Sequence, residues 1–509
     1  MASLPEEGRH DGAVREIIAR ARTARISWAA LPYSERAARL KKAGRYLASH
    51  IDEITEAIHR ENGKLRMDAL AAEVLPAALA LSYYIKKGRK FLAPRRLPCG
   101  SILMFNKQSR LVHKPWGVIG IISPWNYPFA IPFSEVVMAL LAGNAVILKV
   151  ASVTPGAGRA IAGILGAADL PAGLFTHVEI PGAEAGPAFI SGGVDKLFFT
   201  GSTKTGKEIM ALAAARLLPL VLELGGADAA IVRGDADLDR AALGILWSGF
   251  SNAGQSCGGV QRVLVHRGVY RPFLEKICAF VRNFRAGEGE DCDLGPMTTV
   301  KQKEAVEKQI AACIAMGAKT AAQSAEPDPA AAFPAERFIP AMVLTDLNPE
   351  MPVMTDEIFG PVVGVYPVQD DEEALRIANS SPYGLTGSVW SRDRRRAREL
   401  ACRMNAGAVM INDHLMSHGL AETPWGGFGD SGLGKTHGEA GFAEMLKTTV
   451  VVDDVLPGAR RNLWWHPYSE KVFRGLRAVT AFAAASSLAE KFRSIPLVVK
   501  IFFRYWKKG

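Results

Sequence analysis

From Val118 onward, short apolar runs alternate with longer stretches of helical period. Val118–Ser123 is continuously apolar, as a strand buried on both faces must be. Helix-like Ser134–Leu141, strand-like Ala145–Leu148, helix-like Gly156–Ala167 and strand-like Lys196–Phe199 follow, which predicts a doubly wound parallel sheet. Past Gly226 the alternation restarts, with strands predicted at Ala229–Val232, Val263–Val265, Pro361–Val368 and Ala408–Asn412. Helices are predicted between them at Leu238–Ser251, Val269–Phe284 and Thr299–Met316, giving a second α/β domain. Ahead of the first sheet, residues 13–63 and Met67–Phe91 carry helical periodicity. Ile102–His113 alternates around Asn106-Lys107 as a β-hairpin arm would, and β-branched Lys447–Val455 suits it as a pairing partner, in the same subunit or a neighbour.

A chain of 509 residues, 49% hydrophobic, can bury the cores of two or three domains. Its six cysteines form no CxxC pair and its ten histidines no HxxxH cluster, so neither disulfides nor a metal site is expected. The N-terminus, through Gly8, is acidic and unlike a secretory signal, and no 18-residue uninterrupted apolar run predicts a spanning helix. The net charge of +10 is concentrated: residues 459–509 hold eleven Lys or Arg against two Glu, which leaves the rest nearly neutral. A uniformly basic nucleic-acid binder is therefore excluded.

Five short segments carry chemistry. Phe250–Gly259 sets Cys257 among small residues, where a thiolate can meet a carbonyl carbon; taken alone it also reads as a buried small hydrophobe. Ser123–Pro128 follows a predicted strand, and Asn126 offers an amide NH₂ to an oxyanion or closes a turn before Pro128. Phe199–Gly206, with Gly201, Ser202 and Gly206, opens a helix predicted at Lys207–Leu217 and suits a pyrophosphate. Leu222–Gly226 places Glu223 in an apolar run that should raise its pKa toward a general-base range. Glu357–Val363 puts an acid and Phe359 before a Gly-Pro turn.

In combination, and with Lys149…Thr154-Pro155 and Pro424–Gly434, these segments resemble the aldehyde dehydrogenase superfamily from about Ser27 to Val455. The resemblance implies a dinucleotide-binding domain from residues 1–96 and 116–226, and a catalytic domain over 227–444. It also implies an oligomerisation β-arm from 97–115 and 445–456, in a homo-oligomer (dimer or tetramer). By position it implies Cys257 as nucleophile, Glu223 as the base that activates water, and Asn126 with the Cys257 N–H as oxyanion hole. Trp125, Lys149, Ser152, Gly201, Ser202 and Gly206 would line a site for NAD or NADP, with Glu357 and Phe359 at its nicotinamide half. Many members carry an acid where this chain has Ser152, a departure that favours appreciable use of NADP. A CoA-acylating or other non-hydrolytic enzyme is the nearest rival, disfavoured by Glu223; a retired scaffold at a membrane surface is the other.

The tail over 457–509 is a second departure. In Pro496–Lys508 the cations Lys500, Arg504, Lys507 and Lys508 share one helical face, with Leu497, Val498, Ile501, Phe502 and Tyr505 opposite. Such a basic amphipathic helix either lies in an anionic lipid interface, as in fatty-aldehyde dehydrogenases, or packs its apolar side on protein. The resulting expectation is a cytoplasmic enzyme, peripherally membrane-associated, acting on medium or long aliphatic aldehydes.

Overall fold

The computed structural model describes residues 9–327 and 334–506. The acidic N-terminus through Gly8, and Lys507 and Lys508 of the basic face, lie outside the described residues. The chain forms two compact units, residues 1–91 with 115–447 and residues 92–114 with 448–509.

The first unit holds two large sheets and a two-stranded one, Tyr383–Gly384 with Phe428–Gly429. The six-stranded one runs Gly432–Leu433, Leu220–Glu223, Lys196–Thr200, Val118–Ile122, Ala145–Lys149, Phe175–His177, parallel except for the short first strand. The chain moves outward from Val118–Ile122 to Phe175–His177, then returns to Lys196–Thr200 on the other side. That reversal leaves a crevice beyond the carboxyl ends of two adjacent strands, where ligands bind in such sheets. The seven-stranded sheet runs Lys319–Gln323, Met342–Thr345, Val362–Val368, Val260–His266, Asp228–Val232, Thr386–Trp390, Ala408–Ile411; only its first pair is antiparallel. Both expected doubly wound sheets are thus present. Val118–Ile122 reads as an apolar run because both faces of its sheet are covered; Ala130–Ala142, for one, is buried at every position.

Two local expectations need correction. The helix after Phe199 begins at Thr203, because Ser202 caps it, and ends at Ala214. Ile102–Met104 is a 3₁₀ turn, so the strand starts at Lys107 and its hairpin partner is Arg95–Leu97. Arg66–Leu92 is long and apolar enough by composition to cross a membrane, although no run in it is uninterrupted; it is 39% buried in its apolar window. It is broken by a π turn at Leu70–Val74, a feature that frequently marks functional sites.

In the second unit, Arg95–Leu97, Lys107–Pro115 and Leu446–Asp454 form a three-stranded sheet, so the pairing predicted for Lys447–Val455 is made within this chain. The tail is a helical hairpin, Glu470–Ala484 and Leu488–Phe502, each helix capped by a serine (Ser469, Ser487). A Cβ on Gly475 would lie 2.7 Å from Ile501, so glycine lets the two helices close. Val498 packs with Leu103 and Ala478, while Ile501 and Tyr505 pack with Leu463; the Tyr505 hydroxyl donates to Asn106 Oδ1 at 3.2 Å. Pro496 is therefore inside a helix, not at its start, and the side opposite the cations is covered by this chain itself. Leu497, expected on that covered side, is exposed. A different row stays bare: Leu488, Phe492, Ile495, Val499, Phe503 and Trp506, spaced by three and four residues.

Candidate active site

The loop after Val118–Ile122 enters the crevice with Trp125 and Asn126, and an unusual set of donors holds it there. The Asn126 carbonyl accepts from Lys64 Nζ at 2.7 Å and from Asn252 Nδ2 at 3.0 Å, while Asn62 Nδ2 donates to the Trp125 carbonyl at 2.5 Å. Lys64 is also paired with Glu73 at 2.6 Å, and both side chains are wholly buried. Glu73 Oε2 in turn accepts from the N–H groups of Phe129 and Ala130, at 2.7 and 3.1 Å, at the start of the next helix. With its backbone clamped, Asn126 points one side-chain N–H at the Gln255 carbonyl, 3.1 Å away and two residues before Cys257.

Cys257 follows a turn in which Asn252, Ala253 and Gly254 all have left-handed backbones, with φ of 54°, 53° and 70°. Such a conformation costs a non-glycine residue about 1–2 kcal/mol. Two contacts hold it: Asn252 N–H donates to Asp68 at 2.9 Å, and Gln255 Nε2 donates to the Asn252 carbonyl at 2.8 Å. Gly254 must be glycine, since a Cβ would lie 2.1 Å from the Gly360 carbonyl oxygen. The turn therefore butts against the loop that carries Glu357 and Phe359. Burial, then the carboxyls of Glu357, Glu223 and Asp228, push the Cys257 thiol above its ordinary pKa.

Glu223 ends its strand in a buried position, and among the described residues neither carboxylate oxygen has a partner at full hydrogen-bond geometry, the Trp425 side chain being a near one. Burial and then the Glu135 carboxyl hold its pKa well above the ordinary value, against the pull of Lys435. Glu135, buried on the helix Ala130–Ala142, is itself pushed up to about 8 by burial. Glu357 reaches about 7, raised by burial and restrained by the Gly226 N–H, which donates to it at 3.2 Å. Gly225 permits this approach: its Cβ would lie 2.3 Å from the Glu357 carboxylate. The Trp125 and Phe359 rings meet edge to face, with centroids 5.4 Å apart, so residues 234 apart in sequence meet beside the crevice.

The remaining dinucleotide candidates divide. Lys149 ends the next strand, nearly buried, and burial lowers its pKa. Ser152 is exposed beside His177 and Glu179 in a groove at the ends of two adjacent strands, where His177 Nε2 is buried without a partner. Ser202 accepts from the Thr205 N–H at 3.3 Å as helix cap. Gly201 donates its N–H to the Glu223 carbonyl at 3.0 Å, and a Cβ on Gly206 would lie 2.5 Å from Leu224. Those two glycines thus serve close packing of helix on strand. A groove with an imidazole nitrogen that is without a partner among the described residues, beside the N-terminus of helix Pro155–Gly166, fits a dinucleotide.

Cys257 opens on a cavity of about 160 Å³. Tyr127, Ile131, Trp425 and His418 wall its inner part, and Leu75 and Trp247 its outer part. Among the described residues no lysine or arginine lines it, and burial lowers His418 to about 4, so its imidazole is neutral. Asp68 is the one carboxyl in the wall.

Lys64, Glu73, Asn252, Asp68, Glu135 and Trp425 were not singled out from the sequence. Lys64 and Glu73 are nine residues apart on elements broken by the π turn, so no local spacing exposes the pair. Asn252 was inside a quoted segment, and its place before Ala-Gly was the available signal.

Comparison with known proteins agrees with this geometry. A model described as "Aldehyde dehydrogenase family" matches residues 2–451. A 4,4'-diapolycopene aldehyde oxidase of Methylomonas sp is 33% identical over 471 residues, 92% of this chain and 87% of that protein. A putative succinate-semialdehyde dehydrogenase [NADP(+)] of Mycolicibacterium smegmatis is 36% identical over 442 residues, covering 86% and 84%. Among solved structures, a putative aldehyde dehydrogenase from Burkholderia cenocepacia superposes with TM-score 0.82 at 32% identity, covering 87% of this chain and 92% of that one. Betaine aldehyde dehydrogenase from Staphylococcus aureus, in complex with NAD+, superposes with TM-score 0.82 at 26% identity, covering 90% of each.

Proposed function

The chain belongs to the aldehyde dehydrogenase family, an NAD(P)-dependent oxidoreductase group, and from that premise we propose that it oxidises uncharged medium- or long-chain aliphatic aldehydes to carboxylic acids. The observation that carries the substrate class is the cavity wall, which offers no cation to a second carboxylate and presents Asp68 against one. A dicarboxylic semialdehyde would bury its charge unpaired there.

Cys257 gives up its thiol proton to solvent water and its sulfur attacks the aldehyde carbon; the oxyanion of the thiohemiacetal takes hydrogen bonds from the Asn126 side chain and the Cys257 N–H. Bound NAD(P) supplies the hydride acceptor that makes this oxidation to a thioester possible. Glu223, ionised, then takes a proton from water as the water oxygen attacks the thioester carbonyl; the C–S bond breaks, thiolate leaves and the carboxylic acid is released. Lys149, Ser152 and Ser202, with Trp125, Glu357 and Phe359, would hold the dinucleotide. Ser152 leaves room for a 2′-phosphate, and Arg159, paired with Glu179 at 2.8 Å beside the groove, is a further countercharge, so NADP is used appreciably. A preference for NAD above roughly 10³-fold in kcat/KM, about 4 kcal/mol, refutes that assignment.

Two associations complete the reading. Strand Leu446–Asp454 leaves Val450, Val451 and Val452 exposed on a sheet edge, which suits pairing with a second copy; light scattering of the purified protein should give a dimer or tetramer. The bare row from Leu488 to Trp506, with Lys491, Arg493 and Lys500 on the same helix, suits an anionic lipid surface and a peripherally membrane-bound cytoplasmic enzyme. The full chain should co-sediment with vesicles containing phosphatidylserine at low salt, and a chain ending at Pro457 should not. Equal retention of both in the supernatant overturns the lipid assignment.

A further inference from the structure

Four side chains line the cavity and are yet open to solvent: Leu75, Leu79, Trp247 and Met416, with relative exposures of 50%, 51%, 46% and 41%. Single exposed apolar residues are ordinary, but four at one mouth form a rim. Leu75 and Leu79 are one helical turn apart on Leu75–Leu92, and Leu243, one turn before Trp247, extends the apolar surface outward on Leu238–Phe250. From this rim inward the wall is mostly apolar to Tyr127 and Trp425, beside Cys257, with Asp68, Ser251, Ser256 and His418 as its polar members.

We infer that the rim is an outer subsite, which holds the distal part of an unbranched aldehyde chain too long to be enclosed by the cavity. The inference rests on the reading of this cavity as the aldehyde site. Continuity selects the occupant: the bare surface is the outer end of the same wall that receives the reactive carbon. A protein partner is a poorer fit, since a stable interface takes about 800 Å² from each side and a broad polar margin, not four side chains around a hole. The subsite predicts that affinity keeps rising with chain length after the inner cavity is full.

Calorimetric titration with n-alkanols from butanol to dodecanol tests this without any turnover. In the wild-type protein Kd should fall about fourfold for each added methylene, or about 0.8 kcal/mol, through the whole series. In the double variant Leu79→Gln, Trp247→Gln the gain should stop at a shorter chain, leaving dodecanol at least tenfold weaker than in wild type. Identical length dependence in both proteins, a wild-type gain that ends by hexanol, or the same loss at every length would overturn the subsite. Oxidation of the matching alkanals is followed in parallel. Alkanol binding as described with no alkanal oxidised would leave the rim standing and remove the proposed substrate class.

Discussion

Replacement of Lys64 by methionine isolates the clamp behind Asn126. In the wild-type protein a wholly buried ammonium meets a wholly buried carboxylate at 2.6 Å and the Asn126 carbonyl at 2.7 Å. Removing one partner of such a pair leaves an uncompensated buried charge, at a cost of about 3–5 kcal/mol. Glu73 keeps two backbone N–H donors at a helix N-terminus, so the lower figure, about 3 kcal/mol, applies here. At about 2.1 cal/mol/K of unfolding entropy per residue, a unit as large as this one shifts by about 1 °C per kcal/mol, so Tm should drop by about 3 °C. Asn126 retains Asn252 as a backbone donor, so its amide is loosened and not lost. Full removal of an oxyanion donor costs about 10²–10³ in kcat, so a fall of about tenfold or somewhat more is expected. The companion Lys64→Met, Glu73→Gln removes both charges but keeps an oxygen acceptor for the two N–H groups. It should regain most of the stability and stay slow in hydride transfer, with cofactor KM unchanged. Differential scanning fluorimetry and stopped-flow reduction of NAD(P) read the two effects separately. Wild-type turnover per folded molecule in the double variant would refute the positioning role, and a stability loss under about 1 kcal/mol in the single variant would refute the burial argument.

Glu223→Gln should leave a burst of about one reduced cofactor per site and depress the steady state, since its role falls after hydride transfer; an equal fall in both phases would place Glu223 earlier. In the wild type the deacylation rate should climb with pH as the raised Glu223 carboxyl ionises, and a flat profile in single-turnover hydrolysis would contradict this. Glu135 gives a stability prediction with a fixed sign. Held at about 8 when folded, against about 4.3 when unfolded, it keeps its proton only in the folded chain between those values. Its contribution is therefore full at low pH and is lost as pH rises toward 8, by an amount on the order of a few kcal/mol. Glu135→Gln should flatten that loss, so the variant's Tm advantage over wild type should be greater at pH 8 than at pH 5.

Much of the fold was legible because the strands of the first sheet that are buried on both faces are largely apolar runs. Val118–Ile122 and Ala145–Lys149 fall within one residue of the predicted spans. Met342–Thr345, Thr386–Trp390 and Phe175–His177 escaped, being short or interrupted by Gly, Ser and Thr, with no periodicity to set them off. In the tail the amphipathic pattern was read correctly as helix but anchored to Pro496. Proline looks like a helix start, yet Ser487, a better cap, lies upstream. Periodicity also shows only that a helix has an apolar row. It does not show which row the arm will cover, and the tail has two. At the candidate site, Cys257, Glu223, Asn126, Glu357 and Phe359 were legible through the combination of segments that resembles the family, since each alone also reads as packing, a turn or a loop. The Lys64–Glu73 clamp did not, because its meaning arises only where three distant elements converge.

The most direct measurement is product analysis with decanal, NADP+ and purified protein in the absence of CoA. The account predicts equimolar NADPH and decanoic acid, with both abolished in Cys257→Ser while that variant still binds NADP+. Acid formation undiminished in Cys257→Ser, no reduced cofactor from decanal, or turnover only when CoA is added would contradict it.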